Sequence, residues 1–365
     1  MRQNKKKNTG RTVLAALLAL VLIAGIAAFI GINAIKNYDK PKDSSFKGTV
    51  DFVIPQGAST TKIGVLLEKA GIIENSNIFK LKSKLNKLDG KFQAGEYELS
   101  PSMGMNEIMR IIQDGKRETV KFTVKEGLNI RQIANLLESQ GLCNKADFYK
   151  SLEEDTFDYW FVPLLEEKYA DPTGEVSSKA NRFEGFLYPD TYEIYKGASA
   201  RNIINKMLGQ FDKVFTDELK TKMDEKGLNI QEVLSIAALI EKEIKLEKER
   251  PLCASVIYNR LNGNSTGKLL QMDASIQYML GNDENHRVLY RDLKIDNPYN
   301  TYMYPGLTPG PICCPGKSCI EAALNPADTN YLYYVVSTKG DGSHNFTASY
   351  SQHQQNADDY HNSLQ

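Results

Sequence analysis

Hydrophobic and polar residues alternate along "VDFVI" (50–54) and again along "VKFTV" (120–124). Each run passes a glycine, Gly57 or Gly127, and then spaces its apolar residues three and four apart as far as Gly71 or Gly141. Period two predicts a half-buried strand; the longer period predicts an amphipathic helix closed by a C-cap glycine. The two stretches repeat one another, with identities at Val50/Val120, Phe52/Phe122, Gly57/Gly127, Ile63/Ile133, Leu66/Leu136, Leu67/Leu137, Glu68/Glu138 and Gly71/Gly141. Likeness resumes at Tyr97-Glu98-Leu99 and Tyr192-Glu193-Ile194, each followed by a helical pattern at the same distance. The expectation is two β-α-α-β-α units, the second carrying an insertion around residues 155–182.

Two other segments break this pattern. From Thr12 to Ile35 there is no charge, and the eleven residues before it hold Arg2, Lys5, Lys6, Lys7 and Arg11 without an acid. A helix needs roughly 20 apolar residues to cross a bilayer, whereas a cleavable signal has an apolar region of about 7–15. The run therefore reads as a single-pass anchor with its basic tip in the cytoplasm and everything after Lys36 outside. Residues 36–48 are polar and read as a linker. The other segment is "GLNIQEVLSIAALIEKEI" (227–244), where Asn229 is a good N-cap and the helix runs from about Ile230. Its uncharged stretch ends at Glu241, on one face with Leu234, Ala237, Ala238 and Ile244. A carboxyl desolvated on such a stripe favours its protonated form, and the two alanines leave room beside it for a substrate. Glu243 also has apolar neighbours, Leu239, Ile240 and Leu246, so periodicity alone does not choose between the two glutamates.

Composition narrows the class. Lys+Arg and Asp+Glu both number 45, and this zero net charge argues against a nucleic-acid partner. The chain beyond the anchor is too long for one ordinary core. Five cysteines, Cys143, Cys253, Cys313, Cys314 and Cys319, leave at least one unpaired outside the cytoplasm. "CCPGKSC" (313–319) lacks the spaced pair and nearby histidine of a structural metal site. Buried thiols and a single disulfide both stay open. His344 and His353 stand apart from any serine or cysteine signature, and Cys253 reads as core.

Several motifs then occur in a fixed order: "FEGFLYPDTY" (183–192), "LIEKE" (239–243), "ASVIYNRL" (254–261), "LLQMDASIQYMLG" (269–281), "NPYNTYMYPGLTPGPI" (297–312), "PGKSCIEAALNPADTNYLYYV" (315–335) and "HNFTASYSQHQQNADDY" (344–360). In content and order the chain resembles the endolytic murein transglycosylases, the MltG or YceG-like family. One departure is "ICCPG", where Cys313 and Cys314 stand in a stretch expected to be cysteine-free. The resemblance implies an α+β fold in which small βααβ modules similar to LysM glycan-binding domains lead into a mixed α/β catalytic domain. The expected layout is a tip (1–11), a transmembrane anchor (12–35), a linker (36–48), a LysM-like module (49–118), a second such repeat with its insertion (119–228), and a catalytic core (229–365).

The resemblance also implies the substrate: the β-1,4 bond from N-acetylmuramic acid to N-acetylglucosamine in peptidoglycan, cleaved to a 1,6-anhydro end without cofactor or metal. Glu241, the first acid of "EKE", is implied as catalytic. Substrate-binding candidates are Gln271 and Asp273, in a polar break, Asn300 and Tyr302 of "PYNTY", and Glu184 and Asp190 of "FEGFLYPDTY". Asp273 as a helix cap and Asp190 as a turn cap are equally open. The expected partners are glycan strands, the membrane and the synthases of the same polymer, and the expected role is termination of nascent strands. A hydrolase using Asp273 or Asp190 to activate water, a non-catalytic glycan-binding scaffold, and a thiol or metal protein built on Cys313, Cys314 and Cys319 are the other readings.

Overall fold

The computed structural model describes residues 31–35, 38–46, 48–115, 119–263, 265–281 and 288–364, together with Leu14, Leu18 and Leu22. The expected anchor at 12–35 lies largely outside the described residues; among those described, no helix is long and apolar enough to cross a membrane. The chain divides into two compact units, residues 1–118 and 119–365.

In the first unit, β1 (Val50–Ile54) is followed by α1 (Thr60–Lys69) and α2 (Ser76–Leu85), then β2 (Gly95–Leu99) and α3 (Met105–Asp114). β1 and β2 pair antiparallel, with Phe52 opposite Tyr97 and Val50 opposite Leu99. The alternation puts Phe52, Ile54, Tyr97 and Leu99 on the inner face, where Ile63, Leu67, Phe79, Ile108 and Ile112 from the helices cover them. Ser59 and Asn75 cap α1 and α2 by accepting backbone N–H bonds.

The same order recurs in the second unit: β3 (Thr119–Thr123), α4 (Ile130–Ser139), α5 (Lys145–Glu154), then β4 (Thr191–Tyr195) and α7 (Ala200–Val214). Phe122 faces Tyr192 across the β3–β4 ladder and stacks on it at 5.3 Å. Between α5 and β4 the chain adds residues 155–190, with a short helix α6 (Ser178–Asn181). This insertion supplies core: Phe161 packs on Phe186 and Phe211 at centroid distances of 5.3 and 5.0 Å, and Trp160 meets Phe215 at 5.9 Å.

Beyond α8 (Asp217–Glu225) runs α9 (Ile230–Glu243), whose Asn229 cap and Glu232 form a reciprocal capping box. Every residue from Val233 to Ile240 is buried, so this helix is enclosed on all sides. Around it pack α10 (Arg250–Asn262), α11 (Asp273–Leu280) and α12 (Lys317–Leu324). The hairpin of β5 (Tyr333–Val336) and β6 (His344–Thr347), with α13 (Tyr350–Ser363) against it, closes the unit. Residues 119–228 and 229–365 share one hydrophobic core.

Candidate active site

An apolar helix that ends in Glu-Lys-Glu must bring two carboxylates out of the core on divergent sides, because residues two apart do not share a helix face. Glu241 turns towards α12. Its Oε2 accepts the N–H of Gly316, the N-cap residue of that helix, at 3.0 Å. Its Oε1 lies 3.9 Å from Arg250 Nη2, and the Cys319 thiol donates to the same carboxylate. Arg250 also bonds Ser318. Glu126, from the loop after β3, lies against Gly316 so closely that a Cβ there would collide with its carboxylate. Burial first, and the charge of Glu241 second, push the Glu126 carboxyl above its ordinary value. The second carboxylate beside Glu241 is thus Glu126, and neither Glu184 nor Asp190. The alanines do not open a space for substrate: Ala237 and Ala238 are fully buried, and the Cys313 thiol donates to the Ala238 carbonyl at 3.6 Å. Small residues were placed there to admit the 312–316 segment.

Glu243 turns the other way and is half-buried. Its carboxyl accepts the N–H of Ala274, in the first turn of α11, and the hydroxyl of Tyr334 from β5. Burial is the largest influence and raises its proton affinity; the charge of Asp273 raises it further, while Tyr334, the Ala274 N–H and His344 act against that. Asp273 is exposed, opens α11 as its first residue and accepts the Tyr302 hydroxyl at 2.6 Å. Tyr302 is half-buried, its own hydroxyl pushed up by burial and by Asp273. His344 Nδ1 pairs with Glu249 at 2.9 Å and holds the hairpin to the turn after α9. Tyr334 also bonds Cys253, which is fully buried beside it.

The frame under this cluster is rigid. Arg260, nearly buried, donates to the carbonyls of Leu332 at 2.6 Å and Leu270 at 2.7 Å, and to Gln271 Oε1 at 3.3 Å. Gln271 sits at φ 53°, a left-handed conformation held because its N–H reaches the Thr301 carbonyl at 3.0 Å. Thr301 Oγ1 accepts the N–H of Met272 and bonds Ser275, so the 270–275 and 300–302 segments are locked together.

The structure therefore redistributes the residues singled out from the sequence. Gln271, Asp273 and Tyr302 gather on the Glu243 side. Asn300 does not bind substrate: it is fully buried, and its amide donates to the carbonyls of Leu293 and Ile295 while its Oδ1 accepts the Tyr302 N–H. Glu184 is likewise interior; it accepts the N–H groups of Ile130, at the start of α4, and Gly185, and burial pushes it up to about 7. Asp190 is exposed at the start of β4, where it accepts the Thr191 N–H and Gln210 Nε2, both at 2.7 Å: the turn-capping role. All five cysteines are free thiols, and all but Cys143 are buried.

Sequence reasoning missed Glu126, Arg250, Arg260 and Tyr334. Glu126 carried a signal, because the first repeat has Gln56 at the matching position, before its glycine. Arg260 interrupts an otherwise uncharged helix. Tyr334 sits in a strand of similar residues and was not distinguishable. Chemically, a half-buried carboxyl that holds its proton, facing an exposed carboxylate and a tyrosine, can give and take protons at a bound substrate.

The model of the YceG-like family matches residues 52–359. The endolytic murein transglycosylase of Bacillus subtilis (strain 168) is 34% identical over 325 residues, covering 88% of this chain and 86% of that protein. The endolytic murein transglycosylase of Streptococcus pneumoniae serotype 2 (strain D39) is 31% identical over 344 residues, which are 89% of this chain and 60% of that longer protein. A crystal structure of a yceG-like protein from Listeria monocytogenes superposes with a TM-score of 0.54 at 33% identity, over 85% of this chain and 99% of that one.

Proposed function

Since the chain belongs to the YceG-like family, we infer that it is an endolytic murein transglycosylase, a lyase that cuts peptidoglycan glycan strands internally. The bond broken joins N-acetylmuramic acid C1 to O4 of N-acetylglucosamine. We propose Glu243 as the group that works on it, in place of Glu241. The observation that carries this assignment is the environment of the Glu243 carboxyl, pushed towards its protonated form by burial yet next to the exposed Asp273. Glu243 donates its proton to the leaving O4 as the C1–O4 bond breaks. The C6 hydroxyl of the same muramyl residue then closes on C1, and its proton returns to the Glu243 carboxylate. The nucleophile is part of the substrate, so proximity takes the place of an activated water. Glu241, with both oxygens turned to donors at the start of α12, ties α9 to α12.

Mass spectrometry of glycan strands digested by the wild type, Glu243→Gln and Glu241→Gln tests both assignments. The wild type yields products lighter by one water than hydrolysis would give. Glu243→Gln loses at least ~10²-fold in rate, the span of general acid–base catalysis. Glu241→Gln keeps the chemistry and loses about 1–2 kcal/mol of stability through a weakened buried contact. The reverse pattern would return the role to Glu241, with Glu126 as its partner. Reducing ends from the wild type would mean a hydrolase.

The uncharged run at 12–35 with its basic flank supports a single-pass anchor and an extracytoplasmic body. On that arrangement the enzyme acts on strands beside the membrane, next to the synthases that extend them, and terminates their growth. The β-α-α-β units resemble LysM modules in element order and would hold the glycan near the site. If a version carrying a cleavable signal in place of residues 1–35 restored normal strand lengths in cells, the anchor would have no part in the role.

A further inference from the structure

The Glu243 carboxyl is not alone at the N-terminus of α11. Asp273 is the first residue of that helix and the Ala274 N–H that Glu243 accepts is the second, so two carboxylates share one helix end. The second one is held in place from three directions. Its backbone follows Gln271 and Met272, which Thr301 pins by its carbonyl and its hydroxyl, each at 3.0 Å. Its carboxylate takes the Tyr302 hydroxyl at 2.6 Å. Tyr302 in turn is fixed by the buried Asn300, which accepts its N–H at 3.0 Å. An exposed aspartate with no task would not need such support from a buried asparagine, a buried threonine and a tyrosine.

On the reading that Glu243 is the proton donor, we propose that Asp273, held by Tyr302, is a positioning residue for the reaction. Its fixed negative charge faces Glu243 across the start of α11 and keeps the proton on Glu243 until the glycosidic oxygen takes it. Tyr334 is its counterweight, donating a hydrogen bond that favours the Glu243 carboxylate and so steadies the state that must later accept the C6 hydroxyl proton. The groups that face this centre are Asp273 from α11, Tyr334 from β5 and His344 from β6. Cys253 and Arg260 of α10 and Tyr302 from the 300–302 segment complete the surroundings.

The consequence is a pair of opposite effects that a merely structural role would not produce. Glu243 must start protonated, so activity falls as pH rises through its pKa. Asp273→Asn removes an influence that raises that pKa, and the alkaline limb moves to lower pH. Tyr334→Phe removes one that lowers it, and the limb moves to higher pH. A single neighbouring charge or hydrogen bond is worth about one pH unit at such a site.

The experiment is the pH–rate profile of anhydro-end formation by the full chain in detergent on purified glycan strands, for the wild type and both variants. Unchanged thermal unfolding is required of each variant. Opposite displacements support the proposal. Limbs that stay with the wild type, or move the same way, overturn it, while an active Glu243→Gln overturns the underlying assignment instead. If Asp273→Asn is too slow to profile, Tyr302→Phe, which frees the aspartate without removing it, is expected to move the limb the same way by less; an unmoved limb there has the same overturning force.

Discussion

Glu184 lies where solvent does not reach, and its two backbone donors do not outweigh burial, so it titrates at about 7. A carboxyl raised in the folded state adds stability below its unfolded value, near the ordinary range of about 4. That contribution is lost as pH climbs to about 7. Thermal unfolding of the wild type is therefore expected to weaken from pH 5 to pH 8, and Glu184→Gln to flatten that decline. The difference should be on the order of 3 kcal/mol by linkage, read from melting curves in matched buffers. The same scale explains where the sequence misled. Helical spacing placed Glu241 on an alanine face, and that face exists. What the spacing could not say is that the alanines receive the chain at 312–316 instead of a sugar, since that contact joins segments far apart in sequence. Asn300 is a similar case: an asparagine in an aromatic loop looks like a sugar ligand until both ends of its amide are found occupied inside the fold.

At the scale of elements, α9 carries the site because it cannot move. It is buried from Val233 to Ile240, capped at one end and tied to α12 and α11 at the other by glutamates on divergent sides. Ala238→Leu is accordingly expected to destabilise the protein by about 1–3 kcal/mol through overpacking against the 313–314 segment. Denaturant unfolding would measure it; an unchanged midpoint would mean the alanine face borders open space after all. The start of this helix was legible from Asn229 and Glu232, as were the paired strands and their following helices, because local period and capping chemistry decide them. The insertion at 155–190 was legible as extra length only. Its phenylalanines and tryptophan follow no helical or strand period and take their places solely by packing on α7 and one another.

On the scale of the molecule, every residue assigned to the chemistry lies in the 119–365 unit, which has its own core. Residues 119–365 expressed alone are expected to unfold in one cooperative step and to cleave soluble strands, with any loss falling on KM and not on kcat. Differential scanning calorimetry and product analysis check the two halves of that statement; a broad, uncooperative transition would mean the first unit is needed for folding. The repeat announced in the sequence that two similar units exist, but not that only the second continues into the catalytic elements, since that depends on Glu126, Gly127 and Gly316 meeting across nearly two hundred residues. The buried thiols have a consequence of a different kind. Cys253, Cys313, Cys314 and Cys319 are all pushed up by burial and none is crosslinked. The thiolate is the form that oxidants and disulfide-exchange enzymes attack, so the chain can mature in an oxidising compartment without help from oxidative folding catalysts, and reach the same native state in a reducing one.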